Sequence, residues 1–331
     1  MAAESVGKVR GLQQIANPDG VFTICAMDHR DSMVKMLEEH RRGLGTYERV
    51  VERKVELCAA LAPHASAVLL DPRYGVAQCL AAGVLPGGTG LLVSIEDTGY
   101  EGSKEARFTT LLPGWSVEKI RRIGASAVKI LVYYRPDLEG LAAKQRDVVK
   151  SVAGECVRHD IPFLVETKSY AVGEELRDGA LFAQRKPRLV IDTARQVTGL
   201  PLDVLKAEFP AEMDYERDEG KLLGLCRELD TASRVPWVLL SAGVDYETFL
   251  RQVELACKAG ASGFLGGRAI WQEAFRIGDK KERVGYLSTT VVDRLKRLTE
   301  VASRYAVPWH RKLKLRARAL LPVAEGWHER Y

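Results

Sequence analysis

The sequence is short of most features that assign a protein to a class at once. No apolar run approaches the roughly 18 residues of a membrane-crossing helix, so no membrane span is expected. The opening "MAAESVGKVRGLQQIANPDG" has no apolar core of a signal peptide. No two of the six cysteines (Cys25, Cys58, Cys79, Cys156, Cys226, Cys257) have CxxC spacing, and each is embedded in apolar or helical sequence. That excludes a disulfide framework or a zinc knuckle and points to reduced, buried thiols in a cytoplasmic protein. The six histidines show no paired ligand spacing, so no metal is expected. A GxGxxG turn is missing after the first apolar run, which weakens a doubly wound dinucleotide fold. There is no Pro/Gly/Ser-rich linker, which favours one domain over two. Charge of one sign is scarce too: 49 basic residues face 44 acidic ones for a net +5. Stretches such as "VEKIRRIG" and "DKKERVG" mix the signs, as solvated helix faces do. No nucleic-acid partner is expected, while the slight basic excess suits a small anionic ligand.

What the chain does have is a regular alternation. Eight continuous apolar runs, at 21–27, 67–71, 90–96, 127–134, 162–166, 203–209, 236–241 and 263–267, are separated mostly by charged, helical segments. Among these, 46–63, 116–125, 141–160 and 246–261 read as helices. Continuous apolarity, rather than alternation, is what parallel strands covered on both faces require. Eight such strands with intervening helices predict an α/β protein, a single-domain (β/α)8 TIM barrel. The boundaries read as an N-terminal segment 1–20, a barrel 21–275 and a C-terminal helical extension 276–331. Its basic end, "RKLKLRARALLPVAEGWHERY", is read as a packed or solvated surface tail.

In a barrel the site forms at the C-terminal strand ends. Charged residues gather there: Asp28, His29 and Arg30 after the first strand, Asp71 and Arg73 after the second, Glu96 and Asp97 after the third. Lys129 lies in the fourth strand, Glu166 ends the fifth, and Lys206 sits in the sixth within "LDVLKAEFP". Each has a plain structural reading, such as a helix cap for Asp71 or a solvated rim for Glu96. Lysine is seldom buried unless it is paired or used. Two lysines facing one lumen would depress each other's pKa, and a neutral amine can attack a ketone to form a Schiff base. The competing reading is a structural network of Lys206 with Glu208 and Lys129 with Glu166. The seventh and eighth strands end in "LLSAGVD" and "GFLGGRAIW". Their glycine amides and Arg268, beside a helix start, suit a phosphate.

At this point the sequence resembles the tagatose 1,6-bisphosphate aldolase family. The carriers are "AMDHR", "LLDPRYG", "EDTGYEG", "GASAVKILVYYRPD", "DIPFLVE", "DVLKAEFP", "LLSAGVD" and "GGRAIW", from about residue 20 to about residue 275. The resemblance implies a (β/α)8 class I aldolase with no metal and no cofactor. Such an enzyme splits a ketose bisphosphate into dihydroxyacetone phosphate and glyceraldehyde 3-phosphate through a lysine Schiff base. It implies Lys206 as that lysine, Lys129 as the second lysine of the pocket and Glu166 as the proton shuttle. Asp28, followed by His29 and Arg30, would bind substrate. Ser241, Gly243, Leu265, Gly267 and Arg268 would hold the phosphate on the dihydroxyacetone end. The expected partner is a sugar phosphate, and the expected assembly a homo-oligomer. Two departures concern the far half of the substrate. His29 stands where the family commonly reads glutamine, and the sixth strand ends "AEFPAEMDYE" where a valine-rich version is usual. The related sulfofructose-phosphate aldolases share the lysine and the closing glycine–arginine motif and stand as the alternative. A sugar-phosphate-binding regulatory protein on the same barrel is a further one.

Overall fold

The computed structural model describes residues 5–40, 42–316, 320–329 and 331. The first four residues of the N-terminal segment and residues 317–319 and 330 of the basic tail lie outside the described residues. In chain order the strands are β1 (Phe22–Ala26), β2 (Ala67–Leu70), β3 (Gly90–Ser94), β4 (Glu101–Ser103), β5 (Ala106–Phe108), β6 (Ala127–Tyr133), β7 (Phe163–Lys168), β8 (Val204–Ala207), β9 (Trp237–Leu240) and β10 (Gly263–Gly266). Eight of them close into a parallel barrel in the order β1-β10-β9-β8-β7-β6-β3-β2. The eight apolar runs are the eight barrel strands. The two strands left over, β4 and β5, form an antiparallel hairpin in the β3–β6 connection. The sequence reading missed it, because "EGS" and "ARF" carry no apolar run.

Strand residues alternate sides, so every second residue enters the lumen. Phe22, Ile24, Ala67, Leu69, Leu92, Ala127, Leu164, Val204, Val238 and Leu265 form one buried apolar cluster there. The outer strand faces form a second cluster with the helices. Register carries the lumen parity from strand to strand: Leu164 pairs with Val204, and Glu166 with Lys206. Two residues up six of the strands from this apolar layer come Ser94, Lys129, Glu166, Lys206, Leu240 and Gly267, and Asp28 follows two residues after Ala26 of the same cluster.

The floor is closed by α1 (Val6–Ile15), whose Val9, Leu12 and Ile15 join the lumen cluster. Its start is stitched down where the amide of Gly7 donates to Asp160 Oδ2 at 2.8 Å. Around the barrel run α2 (Asp31–His40), α3 (Tyr47–Leu61), α4 (Val76–Ala81), α5 (Val117–Arg122), α6 (Glu139–Arg158), α7 (Gly179–Val197), α8 (Glu219–Ala232) and α9 (Tyr246–Ala259). The one-turn α10 (Arg268–Trp271), then α11 (Lys280–Tyr286), α12 (Val292–Tyr305) and α13 (Trp309–Lys312), complete the chain. Helix α12 packs on α9, α3, β1 and β10, so it stands in the outer ring. A boundary at residue 275 therefore cuts through that ring.

Candidate active site

At the mouth the lumen opens into a cavity of about 480 Å³. Asp28, His29, Arg30, Lys129, Glu166, Lys206, Ser241, Gly243, Leu265, Gly267 and Arg268 all line it. Thus the residues singled out in the sequence are brought together, though they do different things.

Lys129 is the hub. Its Nζ lies 2.7 Å from Asp28 Oδ2, 2.7 Å from Glu96 Oε1 and 3.0 Å from Glu166 Oε2. Burial alone would lower its pKa, but Asp28, Glu166 and Glu96 outweigh that and hold it well above the ordinary lysine value. Lys129 is a fixed cation. Glu166 bridges the two lysines, with Oε2 also accepting from Lys206 Nζ at 2.8 Å. That closeness follows from register, since Glu166 and Lys206 are paired neighbours on β7 and β8. Burial raises Glu166, yet Lys129 and Lys206 together bring its pKa below the usual glutamate range. For Asp28 the same contest, burial against Lys129, Lys206 and His29, ends far below the normal aspartate value.

The structural network weighed from the sequence has other partners than expected. Glu208 does not meet Lys206. It leaves the lumen past the end of β8, and its Oε1 takes Lys168 Nζ at 2.5 Å while Oε2 takes the Ser169 amide at 2.6 Å. Lys129 does pair with Glu166, but shares it with two more carboxylates. Glu96, first read as rim, is 3% exposed and belongs to the centre. The signal was its parity: Leu92, Ser94 and Glu96 point one way. Arg30 is turned from the cavity centre by Glu96. Its Nη1 donates to the Glu96 carbonyl at 2.7 Å, and Nη2 stands 3.6 Å from Glu96 Oε1. Asp71 is not a helix cap, since Gly75 stands at the start of α4; it closes the turn before that helix, with Oδ1 accepting from the amides of Arg73 and Tyr74, both at 2.9 Å, while Oδ2 meets the buried Lys54.

A cradle faces this cluster across the lumen. After β9, Ala242 and Gly243 turn through left-handed φ of 50° and 84°, which folds the loop back over Arg268. A Cβ on Gly243 would stand 3.1 Å from Arg268 Nη2. At Gly267 it would stand 2.8 Å from His29 Cε1 and narrow the cradle. Ser241 Oγ accepts from the Gly267 amide at 3.2 Å. Arg268 Nε is buried with no hydrogen-bond partner among the described residues. Since α10 is a single turn, its dipole adds little, and the anion affinity rests on Arg268 and the loop amides.

His29 packs edge-on against Trp271 at 5.2 Å between ring centroids. Burial, helped by Arg268, Lys54 and Lys206 against the opposing pull of Asp28, drives its pKa down to about 3. A base depressed this way binds fewer protons folded than unfolded, so stability falls as pH drops below its ordinary 6.5 towards 3. Urea midpoints compared near pH 7 and near pH 5 should drop less in His29→Asn than in the unchanged protein. Equal drops would remove His29 from the acid response.

The family model described as DeoC/LacD family aldolase matches residues 22–273. The chain belongs to the DeoC/LacD aldolase family. The aldolase fits the expectation drawn from the motifs, and as an aldolase it is an aldehyde-lyase. It is 32% identical over 327 residues to the tagatose 1,6-diphosphate aldolase of Staphylococcus haemolyticus, covering 93% of this chain and 99% of that one. The tagatose 1,6-diphosphate aldolase of Streptococcus agalactiae is 32% identical over 322 residues, 91% and 97% of the two chains. Among solved structures, fructose-bisphosphate aldolase from Plasmodium falciparum superposes with a TM-score of 0.71 at 14% identity, covering 90% and 94%. An archaeal fructose 1,6-bisphosphate aldolase gives 0.59 at 18% identity, covering 89% and 98%. The solved structures share the barrel. No helix of the aldolase, among the described residues, is long and apolar enough to cross a membrane.

Proposed function

We propose that this aldolase is a class I enzyme that cleaves tagatose 1,6-bisphosphate, or a closely similar phosphorylated ketose, through a Schiff base on Lys206. The products are dihydroxyacetone phosphate and glyceraldehyde 3-phosphate. The observation that carries the reading is the 2.8 Å contact between Lys206 Nζ and Glu166 Oε2, in a buried lumen that also holds an anion cradle.

The proton count closes on Glu166. It takes a proton from the Lys206 ammonium, and the neutral amine adds to the substrate ketone. Glu166 returns that proton to the carbinolamine oxygen, water leaves, and an iminium remains. The carboxylate then takes the proton of the C4 hydroxyl while the C3–C4 bond breaks. Its electrons pass into the iminium to give an enamine, and the aldehyde departs. Glu166 protonates the enamine carbon, and water hydrolyses the resulting iminium to free the amine. Lys129 keeps Glu166 ionised between these steps, and Asp28 holds a substrate hydroxyl. The Ser241, Gly243, Gly267 and Arg268 cradle fixes the phosphate next to the ketone, so that the carbonyl meets Lys206 in one orientation. The same reading takes the enzyme to be cytosolic, where its six buried, unbridged thiols stay reduced, and homo-oligomeric.

Borohydride reduction in the presence of dihydroxyacetone phosphate should add a stable mass to the peptide that contains Lys206. A label on Lys129 instead, or none at all, would sink the assignment.

A further inference from the structure

One buried ion pair stands apart from the cavity. Lys54, on α3, meets Asp71, just after β2, and both side chains are fully shielded from solvent. Neither lines the cavity. Lys54 shares the face of α3 that carries Val50, Leu57, Cys58 and Leu61 into the apolar layer between helices and barrel. An apolar side chain would suit that position. A buried pair of charges often stabilises a fold no more than apolar residues of the same size. Stability alone is therefore a weak reason for the pair to stand here.

The third contact supplies a better one. Lys54 Nζ also donates to the carbonyl of Met27 at 2.5 Å. Met27 follows the last residue of β1 and precedes Asp28. Where β1 ends, the chain is held by single bonds. The carbonyl of Ala26 accepts from Trp271 Nε1 at 3.0 Å, the amide of Met27 reaches the Leu69 carbonyl at 2.8 Å, and the carbonyl of Met27 has Lys54. That carbonyl and the amide of Asp28 lie in one peptide plane. Holding the plane narrows the direction in which Asp28 leaves the backbone, and its Oδ2 then takes Lys129 Nζ at 2.7 Å. The anchor is itself tied down. Asp71 takes Lys54 on one oxygen, while its other oxygen takes the amides of Arg73 and Tyr74.

We propose that Lys54 is a positioning residue: through the Met27 carbonyl, and from outside the cavity, it aims Asp28 at Lys129 and at the substrate. This rests on the reading of Asp28 as the group that holds a substrate hydroxyl. An ammonium suits the task because it has three donors and serves a carboxylate and a carbonyl at once.

The test removes both charges together, so that neither is left buried and unpaired. Lys54→Met/Asp71→Asn should keep a urea midpoint near that of the parent. Its kcat/KM for tagatose 1,6-bisphosphate should fall about 10- to 100-fold, the scale of a group misplaced in a catalytic site. In an Asp28→Asn background the same two changes should cost nothing further, because the group they position is gone. A fully additive loss there would overturn the proposal, as would a parental kcat/KM in the pair variant. If the pair does not fold, Lys54→Gln enters the same cycle with the same expectation, since its shorter amide can meet Asp71 without reaching Met27. A crystal structure of the variant reads the geometry without activity. The Met27 carbonyl should turn, and Asp28 Oδ2 should part from Lys129 by about 1 Å or more. An Asp28 that stays in place would overturn the proposal. If borohydride fails to trap Lys206 while Asp28 moves in the variant, the Schiff-base reading falls and the Lys54 assignment stands.

Discussion

Lys206→Ala should lower turnover by about 10⁵-fold or more, the scale seen when a covalent nucleophile is removed. Its fold should survive, because Glu166 keeps a cation in Lys129 at 3.0 Å. Lys206→Arg is the sharper control. It retains the charge and can still reach Glu166, yet a guanidinium does not shed its proton and cannot add to a ketone. Both variants should be inactive in a coupled assay for the released aldehyde, with unfolding midpoints near that of the parent. Activity in Lys206→Arg would show that the lysine serves only as a charge, and the covalent route would be lost.

The second large effect is on stability. Lys129→Met should destabilise the protein by about 3–5 kcal/mol near neutral pH, the usual cost of leaving buried charge unpaired. Three carboxylates, Asp28, Glu96 and Glu166, then face one another without the cation that touched all three, and Lys206 and Arg30 each meet just one of them. Acid should narrow the gap. In the parent, Asp28 and Glu166 are depressed and their contribution fades as pH falls. In the variant their pKa values rise, so protonation relieves the repulsion. Urea unfolding near pH 7 and near pH 5 reads this directly. A gap unchanged with pH would point to lost packing and not lost charge.

The barrel was legible because burial on both faces forces a strand to be apolar throughout, and eight strands are. Lysines were legible for the inverse reason: Lys129 and Lys206 break that apolarity where nothing structural asks for it. Partners were harder, since they depend on register. Glu208 lies two residues from Lys206 in sequence, but the nearest carboxylate in space comes from the next strand, and β8 ends before Glu208 can face the lumen. Glu96 looked like rim because only its parity, and not its neighbours in sequence, turns it inward. The hairpin was invisible, since two three-residue strands held by a few backbone bonds and one glutamine need no apolar pattern. Helix α7 lay hidden in mixed charge, with Pro187 inside it where sequence rules place a break.

The pairing of β1 with β10 joins Phe22 to Gly263 and Cys25 to Gly266. On the ribosome Phe22 and Gly263 emerge 241 residues apart (263 − 22). Until β10 has been made, β1 waits with an apolar edge open, a template for the wrong partner. Asp28 and Lys129, 101 residues apart, meet only in a formed lumen. A nascent chain that already carries Lys206 thus has neither the cradle beyond it nor the closed wall that excludes water. On the proposed mechanism, chemistry arrives when the last barrel strand reaches the first, and a chain cut short of that point should be inert.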